Sequence, residues 1–218
     1  MKTSPSTLLL SLALLASFTN AIAQPKSYKS YADWISKCPD ADKFSKNDDH
    51  KILNRQKNRE DDPESSDYTQ DFTWANILQS GEDEDRFDDT KAAEIVGYVI
   101  KIVPGGLEAC NCRAAKNAKN KNYRDTHIEL VQTSGTKAKS KRLVVEVSPR
   151  VRHNKGWTTL TENDPMFYNK WVKVKGWLTY DFLHRGNAKN TANSNGAIHR
   201  ATVWEIHPIT SIEVVPEP

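Results

Sequence analysis

The chain has 218 residues, enough for one domain with an N-terminal extension. Its net charge of +3 is close to balance, and no stretch beyond residue 23 is apolar enough to form a membrane-spanning helix. The charge is unevenly distributed: Glu60 to Glu94 holds thirteen acidic and two basic residues, and Arg113 to Lys155 holds twelve basic and three acidic. That asymmetry reads as an acidic segment lying over a basic surface, as a basic surface kept for an anionic partner, or as solvated loops of opposite sign.

Residues 1–23 read as a secretory signal peptide. Lys2 supplies the positive start, Leu8 to Phe18 a short apolar core, and Ala21-Ile22-Ala23 a small-x-small cleavage site. The protein is therefore expected in the periplasm or outside the cell, with no membrane span and no lipoprotein cysteine after the cleavage site. Residues 24–90 read as a helical, acidic extension and linker. Within it, Tyr31, Trp34, Ile35 and Cys38 recur at helical spacing behind Ser30, and Pro39 ends the run. Residues 40–70 are charged and poor in apolar side chains, and they read as a loop. Trp74, Ile77 and Leu78 make a second short helix, capped by Asp71 or Thr73.

From residue 91 to 215 the pattern is that of strands. Ile95-Val103 is the first, with Gly97 marking a bulge or bend. Thr126-Val131 and Arg142-Val147 follow, the latter closed by Pro149. Pro165-Lys170 is at most a helical turn or two, and Trp171-Tyr180 alternates as a fourth strand. An Asn/Gly-rich loop runs from Asp181 to His199. The fifth strand starts near Arg200, and Pro208, lacking an amide hydrogen, places a bend or a sheet edge within it. Five strands, a short helical element between the third and fourth, and a long loop before the fifth predict a mostly β protein: a five-stranded OB-like barrel with a short helical N-terminal extension.

Three cysteines follow the leader. Cys110-Asn111-Cys112 is too closely spaced for an ordinary bridge to itself, so a disulfide from Cys38 to one of them is expected, with a metal site or unpaired thiols as the other readings. A set of short motifs also stands out: Lys57-Asn58-Arg59 with Pro63, Asp85-Arg86-Phe87, Gly97-Tyr98-Val99, Gly105-Gly106 before Cys110-Asn111-Cys112, Asp125-Thr126-His127-Ile128-Glu129-Leu130, Glu146-Val147 with Pro149-Arg150, and Trp204-Glu205-Ile206-His207-Pro208. Together, over about 57 to 215, they resemble a family of OB-like bacterial proteins without an established activity. The resemblance implies the fold and a bacterial origin and carries no function.

Three strands place polar side chains where a core strand is apolar. His127 and Glu129 share a face, Glu146 sits among valines, and Glu205 and His207 share a face. In an OB barrel these strands are neighbours, so the five residues form one patch. The ordinary reading of such a patch is a solvent face with cross-strand ion pairs, Glu146 with Arg150 or Arg200 and Glu129 with Lys141 or Arg142. The chemical reading is a divalent-metal site, zinc for instance, that makes the protein a metal-dependent phosphodiesterase-like hydrolase. Asp181 and His184 would lean over its edge.

The preferred expectation needs no cofactor and no catalysis. OB barrels bind single strands on the second and third strands and adjoining loops, and the basic segment lies there: Lys119, Lys121, Arg124, Lys141, Arg142, Arg150 and Arg152, with Trp157 as an aromatic contact. The expected partner is single-stranded nucleic acid or an anionic polysaccharide. A third reading is an envelope interaction protein whose acidic 60–94 segment meets a partner protein.

Overall fold

The computed structural model describes residues 27–39, 42–114, 120–158, 160–193 and 196–218. The leader read over 1–23 lies outside them. Among the described residues five strands close a barrel: β1 (Ala92–Pro104), β2 (Thr126–Val131), β3 (Leu143–Val147), β4 (Trp171–Tyr180) and β5 (Trp204–Val214), in the spatial order β1-β2-β3-β5-β4. All pairings are antiparallel except β3 with β5, which meet in parallel at Val145 and Ile206. This is the OB strand order, and the protein is a mostly β, five-stranded barrel.

Closure depends on β1. Its first half pairs with β4 and its second half with β2, and the register shifts between Val99 and Lys101 where it changes partner. The extra residue there bends the strand, as a closing barrel needs. The sequence placed the bend at Gly97, two residues earlier. Gly97 instead lies under the ring of Trp74 in the helix Trp74–Leu78, whose indole donates to the Val96 carbonyl at 2.7 Å. Inside the barrel, Val99, Ile102, Ile128, Leu130, Val145, Val172, Val174, Leu178, Ile206 and Ile209 form a single apolar core.

Four α-helices lie outside the barrel among the described residues. α1 (Tyr31–Lys37) is capped by Ser30 and docks Trp34 and Cys38 against Cys112, Ala114 and Tyr123. A Cys38–Cys112 disulfide closes that contact, leaving Cys110 as a buried free thiol. α2 (Asp48–Lys57) occupies part of the segment read from sequence as a loop. Its sequence is mostly charged, but Asn47 caps it, Asp48 and Asp49 sit in its first turn, and Arg55 and Lys57 sit in its last, which suits the helix dipole. α3 is the Trp74–Leu78 helix, capped by Thr73. α4 (Pro149–Asn154) starts directly after β3, with Ser148 as cap and Pro149 at its first turn, rather than over 165–170. No helix among the described residues is long and apolar enough to cross a membrane.

The acidic segment is folded against its own chain. Asp62 pairs with Lys155 at 2.6 Å, Glu60 reaches Arg150 at 3.6 Å, and Glu82 reaches Arg185 at 3.3 Å. Asp83 is fully buried and accepts from the Thr202 hydroxyl at 2.5 Å, at the entrance to β5.

β5 continues past Pro208, with an irregularity there as the sequence predicts and not at a sheet edge. The register with β4 breaks on either side of Gly176, so Pro208 sits in a bulge where no ladder amide is required. A Cβ on Gly176 would lie 2.2 Å from the Pro208 carbonyl oxygen and 2.9 Å from the Ile209 Cα, both backbone atoms. Gly176→Ala is therefore expected to lower the unfolding free energy by at least about 2 kcal/mol through overpacking. Chemical denaturation checks this, and Gly186→Ala, at a site with open space, is expected to change little.

Candidate functional site

Alternation on the strands decides which side chains meet. Ile128, Leu130, Val145, Val147, Trp204 and Ile206 belong to the core, so His127, Glu129, Glu146, Glu205 and His207 project from the outer face of β2, β3 and β5. That face is not open to solvent. Glu146 is 2% exposed, and Glu205 and His207 are fully buried. Its cover comes from the loop before β2, carrying Glu108, Cys110, Asn111 and Asp125, from the loop after β4, carrying Asp181 and Arg200, and from the end of α2, carrying Lys57. Both loops are the ones that flank the ligand face of an OB barrel.

Five carboxylates converge here: Glu108, Asp125, Glu146, Asp181 and Glu205. Lys57 bridges Glu108 at 2.7 Å and Asp181 at 2.6 Å, and Arg200 binds Glu205. The remaining partners are imidazoles. His127 Nδ1 meets Glu146 Oε1 at 2.7 Å, and His207 lies 3.4 Å from Glu205, 3.4 Å from Asp125 and 3.6 Å from Glu146. Both imidazoles therefore flank the same carboxylate.

Burial of so much charge is costly unless each group is compensated, and the protonation behaviour shows how. Burial pulls the Lys57 ammonium down, but Asp181 and Glu108 outweigh it and hold Lys57 charged well above its ordinary range. Burial raises Glu205, yet Arg200 and His207 bring it well below the carboxylate range. Burial likewise disfavours the charged His127 and His207. Contact with Glu129 and Glu146 lifts His127 to about 9, and Asp125 and Glu205 lift His207 to about 10. Glu146 moves the other way: burial, then Glu108 and Glu205, raise it. Cys110 is raised well above the thiol range by burial and by Asp125 and Glu108, so it is a neutral thiol rather than a nucleophile.

Beside the cluster lies an open cleft of about 430 Å³, lined by Lys101, Arg124, Lys139, Arg142, His127, His199, Glu129 and the Pro104-Gly105-Gly106 turn. Glu129 is its one carboxylate among the described residues, held by Lys101 at 2.8 Å and Arg142 at 2.6 Å. A second cleft of about 370 Å³ runs beneath α2 to Glu108, Cys110, Glu146 and Asp181. The two clefts share Gly106, His127 and His199.

The residues singled out in the sequence divide accordingly. His127, Glu146, Glu205 and His207 come together, and Glu129 stands next to them in the cation cleft. Arg124 and Arg142 line that cleft. Lys119 lies outside the described residues, Lys121 is half-buried in a 3-10 turn, and Lys141 is exposed outside the cleft lining. Arg150 and Arg152 point inward. Arg150 donates to the Cys38 and Pro39 carbonyls, and Arg152 to the Thr126 hydroxyl and the Val147 and Arg124 carbonyls. Trp157 lines a separate cleft with Met166, Phe167 and Ile212. Of the surface ion pairs expected, Glu129 with Arg142 is present, while Glu146 pairs with His127 rather than with Arg150 or Arg200.

Lys57, Glu108 and Asp125 were missed. Asp125 was legible, because it directly precedes β2 in phase with His127 and Glu129. Lys57 carried no such signal within a segment read as a loop.

The fold is thus a five-stranded OB-like barrel whose outer face over β2, β3 and β5 carries a buried carboxylate–imidazole cluster beside a basic cleft. No protein-family model, curated protein or solved structure matches the chain, so the resemblance to OB-like bacterial proteins rests on the quoted motifs alone.

Burial raises the Glu129 carboxyl, but His127, Lys101 and Arg142 hold it well below its ordinary range. A depressed folded-state value gives stability that is fully present above the unfolded carboxylate range, near pH 4.5, and is lost as the pH falls below it. Glu129→Gln is expected to cost about 2 kcal/mol at pH 7 by leaving two cations without their acceptor. That difference from wild type should shrink steadily between pH 4.5 and pH 3, as read by urea denaturation across the range.

Proposed function

We propose that the protein is an exported binding module for an anionic polymer, whose charged groups lie in the cleft of Lys101, Arg124, Lys139 and Arg142. The observation that carries this reading is the convergence of these four cations, with one carboxylate, on a single cleft at the ligand face of an OB barrel. No Trp, Tyr or Phe lines the cleft among the described residues. Recognition therefore works through phosphate, sulfate or carboxylate groups, not through stacked bases, and sequence of a nucleic acid is not read. Export follows from the signal-like residues 1–23, and the Cys38–Cys112 disulfide is compatible with an oxidising compartment.

Four engaged cations on a single-stranded polyanion give a salt slope of about −2.8, hence a loss of roughly 50-fold in affinity between 50 and 200 mM salt. Fluorescence titration with oligo-dT and with a sulfated polysaccharide, and with neutral dextran as control, reads this directly. Lys139→Ala should make the slope shallower by about 0.7. Absence of binding at 50 mM salt, or affinity indifferent to salt, removes the proposal.

One observation favours a second reading, a metal-dependent hydrolase. His127 lines the cleft and is hydrogen-bonded to Glu146 of the buried cluster, so one imidazole joins the cleft to that carboxylate. Turnover of bis-p-nitrophenyl phosphate with added zinc, abolished in His127→Ala, would support it; a rate equal to that of zinc in buffer retires it.

A further inference from the structure

Asp125, Glu146 and His207 arrive from three different places: the end of the β1–β2 loop, the middle of β3 and the middle of β5. Each offers one donor atom, and the three atoms lie within 4.8 Å of one another. All three residues are at least nine-tenths buried. Each residue also has one atom, Asp125 Oδ1, Glu146 Oε2 and His207 Nε2, that makes no hydrogen bond among the described residues; Asp125 Oδ1 approaches His207 Nε2 at 3.4 Å, and Glu146 Oε2 approaches His207 Nδ1 at 3.6 Å. Their other polar atoms are engaged: Asp125 accepts from Asn111, Glu146 Oε1 contacts His127, and His207 Nδ1 contacts Glu205.

Buried polar atoms are nearly always satisfied, and each of these three forgoes a partner. Among the described residues, the cationic partners of Asp125 and Glu146 are imidazoles alone. Lys57 is committed to Glu108 and Asp181, and Arg200 to Glu205. No lysine or arginine lies within ion-pair distance of Asp125 or Glu146 among the described residues.

We propose that Asp125, Glu146 and His207 bind a divalent transition-metal ion of the zinc class. Two such carboxylates neutralise a doubly charged ion, and an imidazole together with carboxylate oxygens is a donor set suited to zinc, where calcium and magnesium prefer oxygen alone. The spacing agrees. Donors about 2.1 Å from a shared tetrahedral ion stand about 3.4 Å apart, and His207 Nε2 lies 3.4 Å from Asp125 Oδ1. The surroundings already hold the ligands in place. Asn111 fixes the Asp125 carboxylate, His127 fixes Glu146, and Glu205 fixes the far nitrogen of His207, the carboxylate–histidine arrangement that orients metal-binding imidazoles. Access runs through the cleft beneath α2, which reaches Glu146. The site is independent of whether the neighbouring cleft binds or hydrolyses its anion.

The test uses the full exported chain with its disulfide intact, stripped with chelator and dialysed against zinc, cobalt, calcium or magnesium. One zinc per chain is expected by elemental analysis, with calcium and magnesium unable to displace it. Glu146→Gln and His207→Gln should each weaken zinc by more than about 100-fold, and Cys110→Ser and the surface change Glu94→Gln should leave it unaltered. Because a variant at a buried position can unfold, the wild-type chain is also read directly. Cobalt should broaden the imidazole resonances of His207 and His127 beyond that of His153, which stacks on Tyr31 and lines neither cleft, and chelator should lower the melting temperature. Zinc below stoichiometry, retention of zinc by folded His207→Gln, loss of zinc in Cys110→Ser, or preference for calcium would each overturn the proposal.

Discussion

A strand that commits every second side chain to a core has no freedom over the others. In β2, β3 and β5 the inward positions are aliphatic or aromatic, so the register that fills the barrel with Ile128, Val145 and Ile206 also sends His127, Glu146 and Glu205 outward together. Shifting any one of these strands by a residue would turn carboxylates into the core. The apolar packing thus fixes the positions of the charged groups to within the tolerance of a sheet, about as rigid a platform as a protein offers. The charged groups contribute little to choosing that register.

What distinguishes this barrel is that its outward row is covered. Lys57, Glu108, Asp125, Asp181 and Arg200 come from segments distant in the chain and meet over the strands. The resulting network mixes fully paired groups, such as Lys57 between two carboxylates, with groups whose compensation is incomplete. Fully paired members add rigidity and specificity of packing, and the others have imidazoles as their only cationic partners among the described residues. The division runs along a physical line. Side chains next to α2 and the β4–β5 loop have fixed cations, and those between the β1–β2 loop and β3 have only imidazoles.

Much of the barrel was legible because strand alternation is a local signal. The five strands, the loop before β5 and the pairing of His127, Glu146, Glu205 and His207 all follow from period-two text plus the OB order. The misses share a different cause. α2 is written in charged residues whose apolar content is Ile52 and Leu53, so periodicity is faint and only Asn47, Asp48 and Asp49 announce a start. Arg150 and Arg152 looked like surface cations, because a sequence does not say which guanidiniums will be spent on backbone carbonyls. Lys57 and Glu108 reach the cluster only through the fold of α2 and the β1–β2 loop, which no spacing rule encodes. Charge counts along the chain identified the basic region but not the cleft, whose Lys101 comes from β1.

The covalent link between Cys38 and Cys112 has a consequence beyond holding α1 in place. Cys112 lies two residues from Cys110 and one from Asn111, in the loop that supplies Glu108 and Asp125 to the cluster. Anchoring that loop at a point distant in the chain restricts the arrangements it can sample before and after folding. With the two thiols reduced, the loop lacks that tether. Closing that bond therefore bears on the charged cluster as well as on α1, because one loop serves both.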